Sequence, residues 1–303
     1  MRWEDATVHV TDLGWSTVGG VFEGIRGYWS ATDQELYIFR LPEHMRRFAQ
    51  SMKLVRFDQA YPTGELIDAI IDLVRANDHR EDIYIRPMAY RGGENKGLSS
   101  FDAQAHVLIN TRPDTSALPA GVAKHAGVSS WTRVSDAVMP PRIKNFSNYR
   151  NGQLATMEAT INGYDLAILL DTEGKVAEGS GACVMLVRDG RLITPDVTSS
   201  VLESITRDAI ITIAREDLGL DVVERRVDRT ELYIADEVFF CGTAAEITPI
   251  ASVDRYVVGD GTVGPVTARL AQLLHDVVRG ADARHANWRT AVGLAERVSA
   301  TPA

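Results

Sequence analysis

The segment 140–149 reads Pro-Pro-Arg-Ile-Lys-Asn-Phe-Ser-Asn-Tyr and contains Lys144, one of only five lysines in a chain of 303 residues. The residues before Lys144 are largely apolar, and an aromatic residue follows it closely. A lysine amine that loses its proton can condense with an aldehyde, and a desolvated or positively charged setting favours that loss. We therefore interpret Lys144 as the candidate reactive lysine, with a pKa expected to lie near the working pH.

The other four lysines lie in ordinary surface settings, which is where most lysines are found. Lys53 falls beside several arginines in a helical pattern and is expected to be exposed. Lys96 lies in a loop-like stretch, Lys124 flanks a short apolar run, and Lys175 lies in a predicted hairpin turn. Composition alone does not separate Lys144 from these, so the motifs around it carry the argument.

The composition indicates a globular protein of about two domains by the length prior. Hydrophobic residues make up 45% and charged residues 24%, which is ordinary for such a protein. The net charge of -9 argues against nucleic acid as a partner, because a phosphate backbone would be repelled. Residues 1–5 show no apolar signal region, and no run is long enough to span a membrane. We expect a cytoplasmic protein with no membrane partner.

Two cysteines, Cys183 and Cys241, each lie in an apolar, strand-like run. Buried free thiols in a reducing compartment are the expected state. A zinc site would need more ligands at closer spacing, so no metal is expected.

The pattern along the chain is mixed α and β. In the first part we expect helices from Pro42 to Met52 and over 63–76, followed by a linker-like stretch at 111–121. The strands expected in that part are 20–29, 36–40, 82–90 and 105–110. In the second part we expect helices over 151–162, 206–218 and 265–279. The strands expected there are 127–131, 165–170, 176–178, 182–187, 221–226 and 237–241.

Seven motifs occur in an order and at a spacing that is typical of one family. They are Val21–Arg26, Glu43–Arg47, Tyr84–Pro87, Lys144–Tyr149, Glu178–Gly181, Ile205–Asp208 and Ala235–Ile247. On these residues the chain resembles the fold-type IV (class IV) pyridoxal-phosphate-dependent aminotransferases, and within them the branched-chain amino acid aminotransferases. The resemblance covers nearly the whole chain.

The resemblance implies an α+β, two-domain fold like that of the D-amino-acid and branched-chain aminotransferases. It implies a small N-terminal α/β domain over 1–111, an interdomain loop over 112–122, and a larger, β-rich C-terminal domain over 123–303 that carries the lysine. The family builds each active site at a subunit interface, so a homodimer or higher homo-oligomer is expected.

For the cofactor, the resemblance implies that Lys144 forms the Schiff base with pyridoxal 5'-phosphate and then moves a proton. Tyr149 would contact the phenolic oxygen of the cofactor. Glu178 would pair with the pyridine nitrogen and keep it protonated, so that the ring can accept negative charge.

The phosphate of the cofactor would be bound by four residues. Arg47 would supply the charge, with its neighbour Arg46 left exposed. Ile205 and Thr206 would donate backbone N–H groups at a helix start, where the helix dipole favours an anion. Thr243 would add its hydroxyl.

For the substrate, the resemblance implies that Tyr84 binds the α-carboxylate together with the backbone at Thr243 and Ala244. Arg86, on the same strand face as Tyr84, would bind the second carboxylate of L-glutamate, because an arginine can contact a carboxylate through two hydrogen bonds. Phe22 would line the apolar side-chain pocket.

The sequence departs from the family pattern mainly on the substrate side. Thr17 stands where the family commonly has tyrosine, the interdomain loop lacks aromatic residues, and the glycine-rich segment 91–97 is altered. Ser204 stands where the helix that binds phosphate usually begins with glycine. Fewer aromatic walls would leave a larger or more polar pocket.

The reaction expected from the resemblance is a ping-pong transamination between L-glutamate and 2-oxoglutarate on one side and an apolar, branched-chain-like amino acid and its 2-oxo acid on the other. Three other reactions on the same fold stay open: D-amino acid transamination, (R)-amine transamination and an aminodeoxychorismate-lyase-like elimination. A cofactor-binding protein without turnover is a further alternative, against which Lys144 and Glu178 both count.

Overall fold

The computed structural model describes residues 2–7, 18–58, 61–92, 105–119 and 121–294. Within these residues the chain forms two β-sheets, with helices packed against each, which confirms the α+β prediction. Thr17 and residues 93–97 of the altered glycine-rich segment lie outside the described residues.

The regular elements are numbered in chain order. The strands are β1 (Val21–Phe22), β2 (Ile25–Ser30), β3 (Glu35–Phe39), β4 (Ile83–Arg91), β5 (Ala105–Pro113), β6 (Lys124–Val128), β7 (Leu166–Leu170), β8 (Val176–Gly179), β9 (Cys183–Arg188), β10 (Arg191–Thr194), β11 (Val222–Glu224), β12 (Glu237–Gly242), β13 (Glu246–Val253), β14 (Tyr256–Val257) and β15 (Arg289–Ala291). The helices are α1 (Leu41–Leu54), α2 (Thr63–Asn77), α3 (Phe146–Ile161), α4 (Ile205–Thr212) and α5 (Pro265–Val278).

The first sheet is organised around β4, which pairs antiparallel with β1, β2 and β5. Helix α1 begins at Leu41, with Pro42 in its first turn as predicted. It buries Met45, Phe48 and Met52 in a core shared with α2 and the sheet. Burying such side chains stabilises the fold by roughly 1.5–3 kcal/mol each. Lys53 and Arg46 point outward, as predicted.

The second sheet closes on itself. Six of its strands follow the order β9-β12-β13-β6-β7-β8, and β8 pairs back with β9. The closing contact joins Glu178 on β8 to Cys183 on β9. A closed sheet has no free edges in its ring, so Glu178 is fixed by strand pairing at the seam. Helices α4 and α5 pack on β9 and β12 through a second core, and Cys183 and Cys241 are buried free thiols within it, as predicted.

Several boundaries differ from those expected from the sequence. Strand β5 continues to Pro113, into the stretch predicted as linker, because it pairs with β4 along its whole length. Strand β6 lies at Lys124–Val128 rather than 127–131, where it pairs with β7 and β13. Helix α3 begins at Phe146 rather than 151, because the Asn145 side chain accepts a hydrogen bond from the Asn148 N–H at 3.0 Å and caps the helix.

The helix expected over 206–218 is α4 followed by a π-helical turn at Ile213–Asp217. Four strands were not expected, β10, β13, β14 and β15. Strand β15 pairs with β3, so residues near the end of the chain return to the first sheet, although the domain prediction assigned them to the C-terminal part. No helix in the described ranges is both long and apolar enough to cross a membrane.

Gly152 provides a test of how α3 packs. A Cβ added at Gly152 would overlap the backbone carbonyl oxygen of Ser180, in the turn between β8 and β9. We expect Gly152→Ala to lower the free energy of unfolding by about 1–3 kcal/mol, the usual cost of overpacking, measured by urea denaturation.

The control is Gly64→Ala in α2, where nothing lies within 4 Å of the added Cβ. This change should be neutral or slightly stabilising, because alanine is the better helix former. Equal effects of the two substitutions would contradict the close approach of α3 to Ser180.

Candidate active site

The backbone on either side of Lys144 is attached to the first sheet. The Phe22 N–H donates to the Lys144 carbonyl at 2.9 Å, and the Phe146 N–H donates to the Gly20 carbonyl at 3.1 Å. The Lys144 N–H donates to the Ser51 hydroxyl at 3.2 Å, which adds a contact to α1. Lys144 is therefore held at the junction between β1, α1 and the start of α3.

A cavity of about 280 Å³ opens beside Lys144. Of the predicted site residues, the following line it: Phe22, Arg47, Tyr84, Arg86, Lys144, Tyr149, Glu178, Thr243 and Ala244. Ile205 and Thr206 do not line this cavity, although Leu202 and Ser204, just before α4, do. The structure thus brings residues from both sheets to one concave site.

The Lys144 amine is buried and lies 2.6 Å from the Tyr149 hydroxyl. It also lies 4.9 Å from the centre of the Phe22 ring. Burial acts to lower the pKa of Lys144, but the attraction of Tyr149 and Glu23 outweighs burial and holds that pKa above its ordinary value. The pKa of Lys144 is therefore raised by the chain's own residues, whereas a pKa near the working pH was expected from the sequence.

Arg47 is buried and held by Glu23. Its Nε and Nη2 donate to the two carboxylate oxygens of Glu23, both at 2.8 Å, and its Nη1 donates to the Glu203 carbonyl at 2.7 Å. His44, one helical turn earlier, places Nδ1 2.8 Å from Glu23 Oε2. The pairing with Glu23 fixes one edge of the guanidinium and leaves N–H groups on the opposite edge for a ligand.

Burial acts to raise the pKa of Glu23, but the Arg47 guanidinium outweighs it and holds that pKa well below its usual range. The pKa of His44 is lowered by burial. The cluster therefore contains an ionised carboxylate, a charged arginine and a neutral histidine at neutral pH.

Glu178 is buried and has two partners. Its Oε1 lies 2.8 Å from Arg133 Nη2, and its Oε2 accepts from the Leu202 N–H at 3.1 Å. Burial raises the pKa of Glu178, while Arg133 and the Leu202 N–H act in the opposite direction.

The start of α4 has free N–H groups near the cavity. Ser204 is the N-cap residue, and its hydroxyl accepts from the Arg207 N–H at 3.2 Å. The first helical N–H groups, those of Ile205 and Thr206, have no partner within the helix. Serine is a favoured N-cap residue, so Ser204 supports the helix start as well as the family's glycine would.

The turn that follows β12 is braced by a buried network. Arg26 donates from Nε to the Thr243 carbonyl at 3.0 Å and from Nη1 to the Asp114 carbonyl at 2.8 Å. Glu246 accepts from the Tyr28 hydroxyl at 3.0 Å and from the Ser116 hydroxyl at 2.7 Å. The network joins the turn at Thr243 and Ala244 to the segment that follows β5, so these two parts of the cavity wall move together.

On the substrate side, Tyr84 and Arg86 lie on the same face of β4, and the Arg86 guanidinium is 5.7 Å from the centre of the Tyr84 ring. Burial raises the pKa of Tyr84, so its hydroxyl stays a neutral donor. Arg86 Nε is buried and has no hydrogen-bond partner among the described residues. Phe22 stacks on Phe146 at 4.6 Å between ring centres and provides an apolar wall.

Three residues that contact the predicted site residues, directly or, for His44, through Glu23, were not identified from the sequence: Glu23, His44 and Arg133. Glu23 and His44 lie inside recognised motifs, but a buried ion pair between two motifs gives no signal in either one. Arg133 lies in the segment between β6 and α3, which has no periodic pattern, and only the folded chain places it against Glu178.

The fold and the cavity define a class of enzyme built around a buried lysine, and comparison with known proteins identifies the family. The family model of amino-transferase class IV matches residues 20–253. The chain therefore belongs to the class IV aminotransferases.

Three of its relatives are branched-chain amino acid aminotransferases. The branched-chain-amino-acid aminotransferase of Pseudomonas aeruginosa is 41% identical over 297 residues, which cover 96% of this chain and 94% of that protein. A crystal structure of the branched-chain amino acid aminotransferase from Thermobaculum terrenum in PLP-form is 55% identical, with a TM-score of 0.94 and coverage of 97% and 95%. The enzyme from Thermoproteus uzoniensis, solved with norvaline, is 42% identical, with a TM-score of 0.90 and coverage of 96% of both chains.

The pairing of Glu23 with Arg47 predicts a pH dependence of stability. Because the folded-state pKa of Glu23 is depressed, its contribution is present above the unfolded-state value of about 4.3 and is lost as the pH falls below it. Glu23→Gln removes that dependence and leaves the Arg47 charge unpaired, which should cost about 3–5 kcal/mol at neutral pH. Urea denaturation across pH 3–8 measures both effects.

Glu43→Gln, on the helix α1 that carries Arg47, is the matched control. Glu43 pairs with Arg40 at 3.0 Å but is partly exposed, so the loss should stay below about 1 kcal/mol. If Glu23→Gln and the parent protein lost stability with the same slope in acid, the depressed pKa of Glu23 would be refuted.

Proposed function

We propose that this protein is a pyridoxal 5'-phosphate-dependent aminotransferase of branched-chain-like specificity. It would exchange an amino group between L-glutamate and 2-oxoglutarate on one side and an apolar amino acid and its 2-oxo acid on the other. The observation that carries this proposal is the buried Lys144 amine, 2.6 Å from the Tyr149 hydroxyl, in one cavity with Glu178 and Arg47.

The polar groups of the cavity fit the cofactor. An amine for the aldehyde, a carboxylate for the ring nitrogen and an arginine near a helix start for the phosphate all lie at the same cavity. The buried cations Arg47, Lys144 and Arg133 also outnumber the buried carboxylates Glu23 and Glu178. An anionic ligand would balance this excess, since unpaired buried charge is costly.

When bound, pyridoxal phosphate supplies an aldehyde for amines and a ring that stabilises negative charge developing at the substrate Cα. Lys144 Nζ would take the proton from the substrate Cα and deliver it to C4′, the former aldehyde carbon of the cofactor. The Tyr149 hydroxyl would orient Nζ by its hydrogen bond, and Glu178 would hold a proton on the ring nitrogen. Arg47, the N–H groups of Ile205 and Thr206, and the Thr243 hydroxyl would bind the phosphate.

The remaining lining residues would select substrates. The neutral Tyr84 hydroxyl and the backbone at Thr243 and Ala244 would bind the α-carboxylate. Phe22 would contact an apolar side chain, and Arg86 would bind the second carboxylate of L-glutamate. One pocket that offers both an apolar wall and a guanidinium suits a ping-pong reaction, because donor and acceptor bind in turn.

Transamination of branched-chain-like substrates is favoured over D-amino acid or (R)-amine transamination and over elimination. The relatives named above are branched-chain aminotransferases at 41–55% identity. The position of Arg86 and Tyr84 at the cavity supports a dicarboxylate donor, which a simple amine substrate would not need.

We further propose a homodimer, division into a domain over 1–111, a loop over 112–122 and a domain over 123–303, and a cytoplasmic location. The exposed apolar side chains of Trp131, Met157 and Ile161, on and beside α3, are consistent with a partner surface.

Lys144→Ala tests the central assignment. We expect transamination to fall by at least about 10²–10⁴-fold, the usual contribution of a positioned acid–base group, because no other buried amine among the described residues lines the cavity. The absorption band of covalently attached cofactor should also disappear, while the far-ultraviolet circular dichroism of the backbone stays unchanged.

Lys175→Ala is the control, because Lys175 is paired with Asp228 at the surface, and it should leave both readouts intact. Normal turnover by Lys144→Ala would sink the proposed role of this lysine.

Arg86→Ala tests the choice of donor. We expect kcat/KM for L-glutamate to fall by roughly 10–100-fold, the value of a lost charge-assisted hydrogen bond of about 1.5–3 kcal/mol, with a much smaller change for L-leucine. Steady-state kinetics with both donors measure the difference.

Arg112→Ala is the matched control, because Arg112 lies 5.2 Å over the same Tyr84 ring and is not among the residues that line the cavity. It should affect both donors alike. Equal losses for the two donors in Arg86→Ala would remove the support for dicarboxylate recognition by Arg86.

A further inference from the structure

Arg133 is a buried arginine whose only carboxylate partner in the described structure is Glu178. Both side chains are less than a tenth exposed, and Arg133 Nη2 lies 2.8 Å from Glu178 Oε1. Arg133 has no assigned role in the transamination proposed above, and it lies outside the seven sequence motifs. A buried ion pair adds little net stability, so stability alone does not explain why Arg133 lies at the cavity.

The guanidinium of Arg133 is held in place from several sides. Its backbone N–H donates to the Leu170 carbonyl at 2.8 Å, which ties it to the end of β7. Its Nη1 donates to Asn151 Oδ1 at 3.3 Å, and Asn151 Nδ2 donates to the Thr132 carbonyl at 3.0 Å. Arg133 is therefore fixed before any ligand arrives, and Glu178 is oriented by it.

Glu178 itself is fixed at both oxygens. The Leu202 N–H donates to Oε2 at 3.1 Å, while Oε1 faces Arg133. Strand pairing at the seam of the closed sheet holds its backbone. A carboxylate has about four acceptor sites, so one or more remain for a donor in the cavity.

We propose that Arg133 is a positioning residue that keeps Glu178 ionised, so that the proton shared between Glu178 and a pyridine nitrogen bound in the cavity rests on the nitrogen. This inference rests on the proposed function, because it needs the cofactor ring to lie against Glu178.

The effect of the Arg133 charge depends on distance. Arg133 stabilises the negative charge on Glu178 at close range, and it would repel a positive charge on a ring nitrogen held by Glu178 less, because that nitrogen would lie farther from Arg133 than the carboxylate does. The balance favours the arrangement with an ionised carboxylate and a protonated nitrogen. Burial by itself acts the other way and raises the pKa of Glu178. Without Arg133, the proton would move from the nitrogen to the carboxylate, with no other change in the number of protons bound.

The test is the protonation state of the ring nitrogen in the holoenzyme. We would reconstitute the parent and Arg133→Leu with pyridoxal phosphate labelled with ¹⁵N in the ring and record the ¹⁵N chemical shift. The parent should show a protonated nitrogen, and Arg133→Leu should shift toward the value of an unprotonated pyridine. Arg133→Lys should recover most of the parental shift, because it restores the charge.

Kinetics give a second readout. In Arg133→Leu, kcat with L-glutamate as donor should fall by about 10–100-fold, as is common when a residue that orients a site residue is replaced. KM should change little, because Arg133 acts through Glu178 and the substrate contacts assigned above stay in place.

Arg207→Leu is the matched control. Arg207 is also buried and pairs with Glu224 at 2.9 Å, but it does not line the cavity. It should lose stability like any buried arginine and keep the parental ¹⁵N shift. Should Arg133→Leu fail to fold, Arg133→Gln carries the test, because it keeps a hydrogen-bond donor without the charge and should show the same shift as expected for the leucine variant.

The outcomes separate the two claims. A parental ¹⁵N shift in Arg133→Leu or Arg133→Gln, with or without a loss of kcat, would overturn the role of Arg133 and leave the aminotransferase proposal standing. A parent protein that binds no labelled cofactor and transaminates nothing would overturn the proposed function and this inference with it.

Discussion

The structure depends on a balance of buried charge at one cavity. Arg47, Lys144 and Arg133 face it from three different parts of the chain, and Glu23 and Glu178 pair with two of them. Each pair is a buried ion pair, which adds little net stability but is expensive to break. Such pairs hold their side chains to a single geometry. Of these three cations, Lys144, the proposed reactive lysine, is the one without a carboxylate partner among the described residues.

Three of these charges are fixed by contacts with regular structure. Arg47 lies on α1, Glu178 lies at the seam of a closed sheet, and Lys144 is attached through its backbone to β1 and to Ser51. The distances across the cavity are then set by how the two sheets meet. Placing reactive groups on rigid elements keeps them near a productive geometry without reorganisation during turnover.

Much of this arrangement could be predicted from the sequence, and the rest could not for definite reasons. Local patterns predicted α1 and the shared face of Tyr84 and Arg86, because each depends on a short-range period. The inward position of Arg47 was implied by the family motif and not by a local pattern. The start of α3 was misplaced, although the capping residue Asn145 is visible in the sequence. The pairing of Glu178 with Arg133 depends on a contact between segments that are distant in sequence, and periodic sequence patterns do not reveal such contacts.

The pKa of Lys144 and the strand β15 also depend on contacts that local sequence patterns do not reveal. The pKa of Lys144 follows from opposing contributions of burial and neighbouring groups, so its direction could not be derived from the apolar residues beside it. Strand β15 has only three residues, too few for a periodic pattern. Its pairing with β3 is a tertiary preference that overrides local propensity.

Gly24 and Tyr84 show how two of the motifs constrain one another. A Cβ added at Gly24 would overlap the Tyr84 hydroxyl and ring, so the aromatic side chain occupies space that any larger residue at position 24 would need. The two positions are separated by 60 residues in sequence and act as a single steric unit. A directed-evolution library aimed at substrate range should therefore vary positions 24 and 84 jointly, because a side chain larger than glycine at position 24 would have to displace the Tyr84 hydroxyl, which is proposed to bind the substrate α-carboxylate.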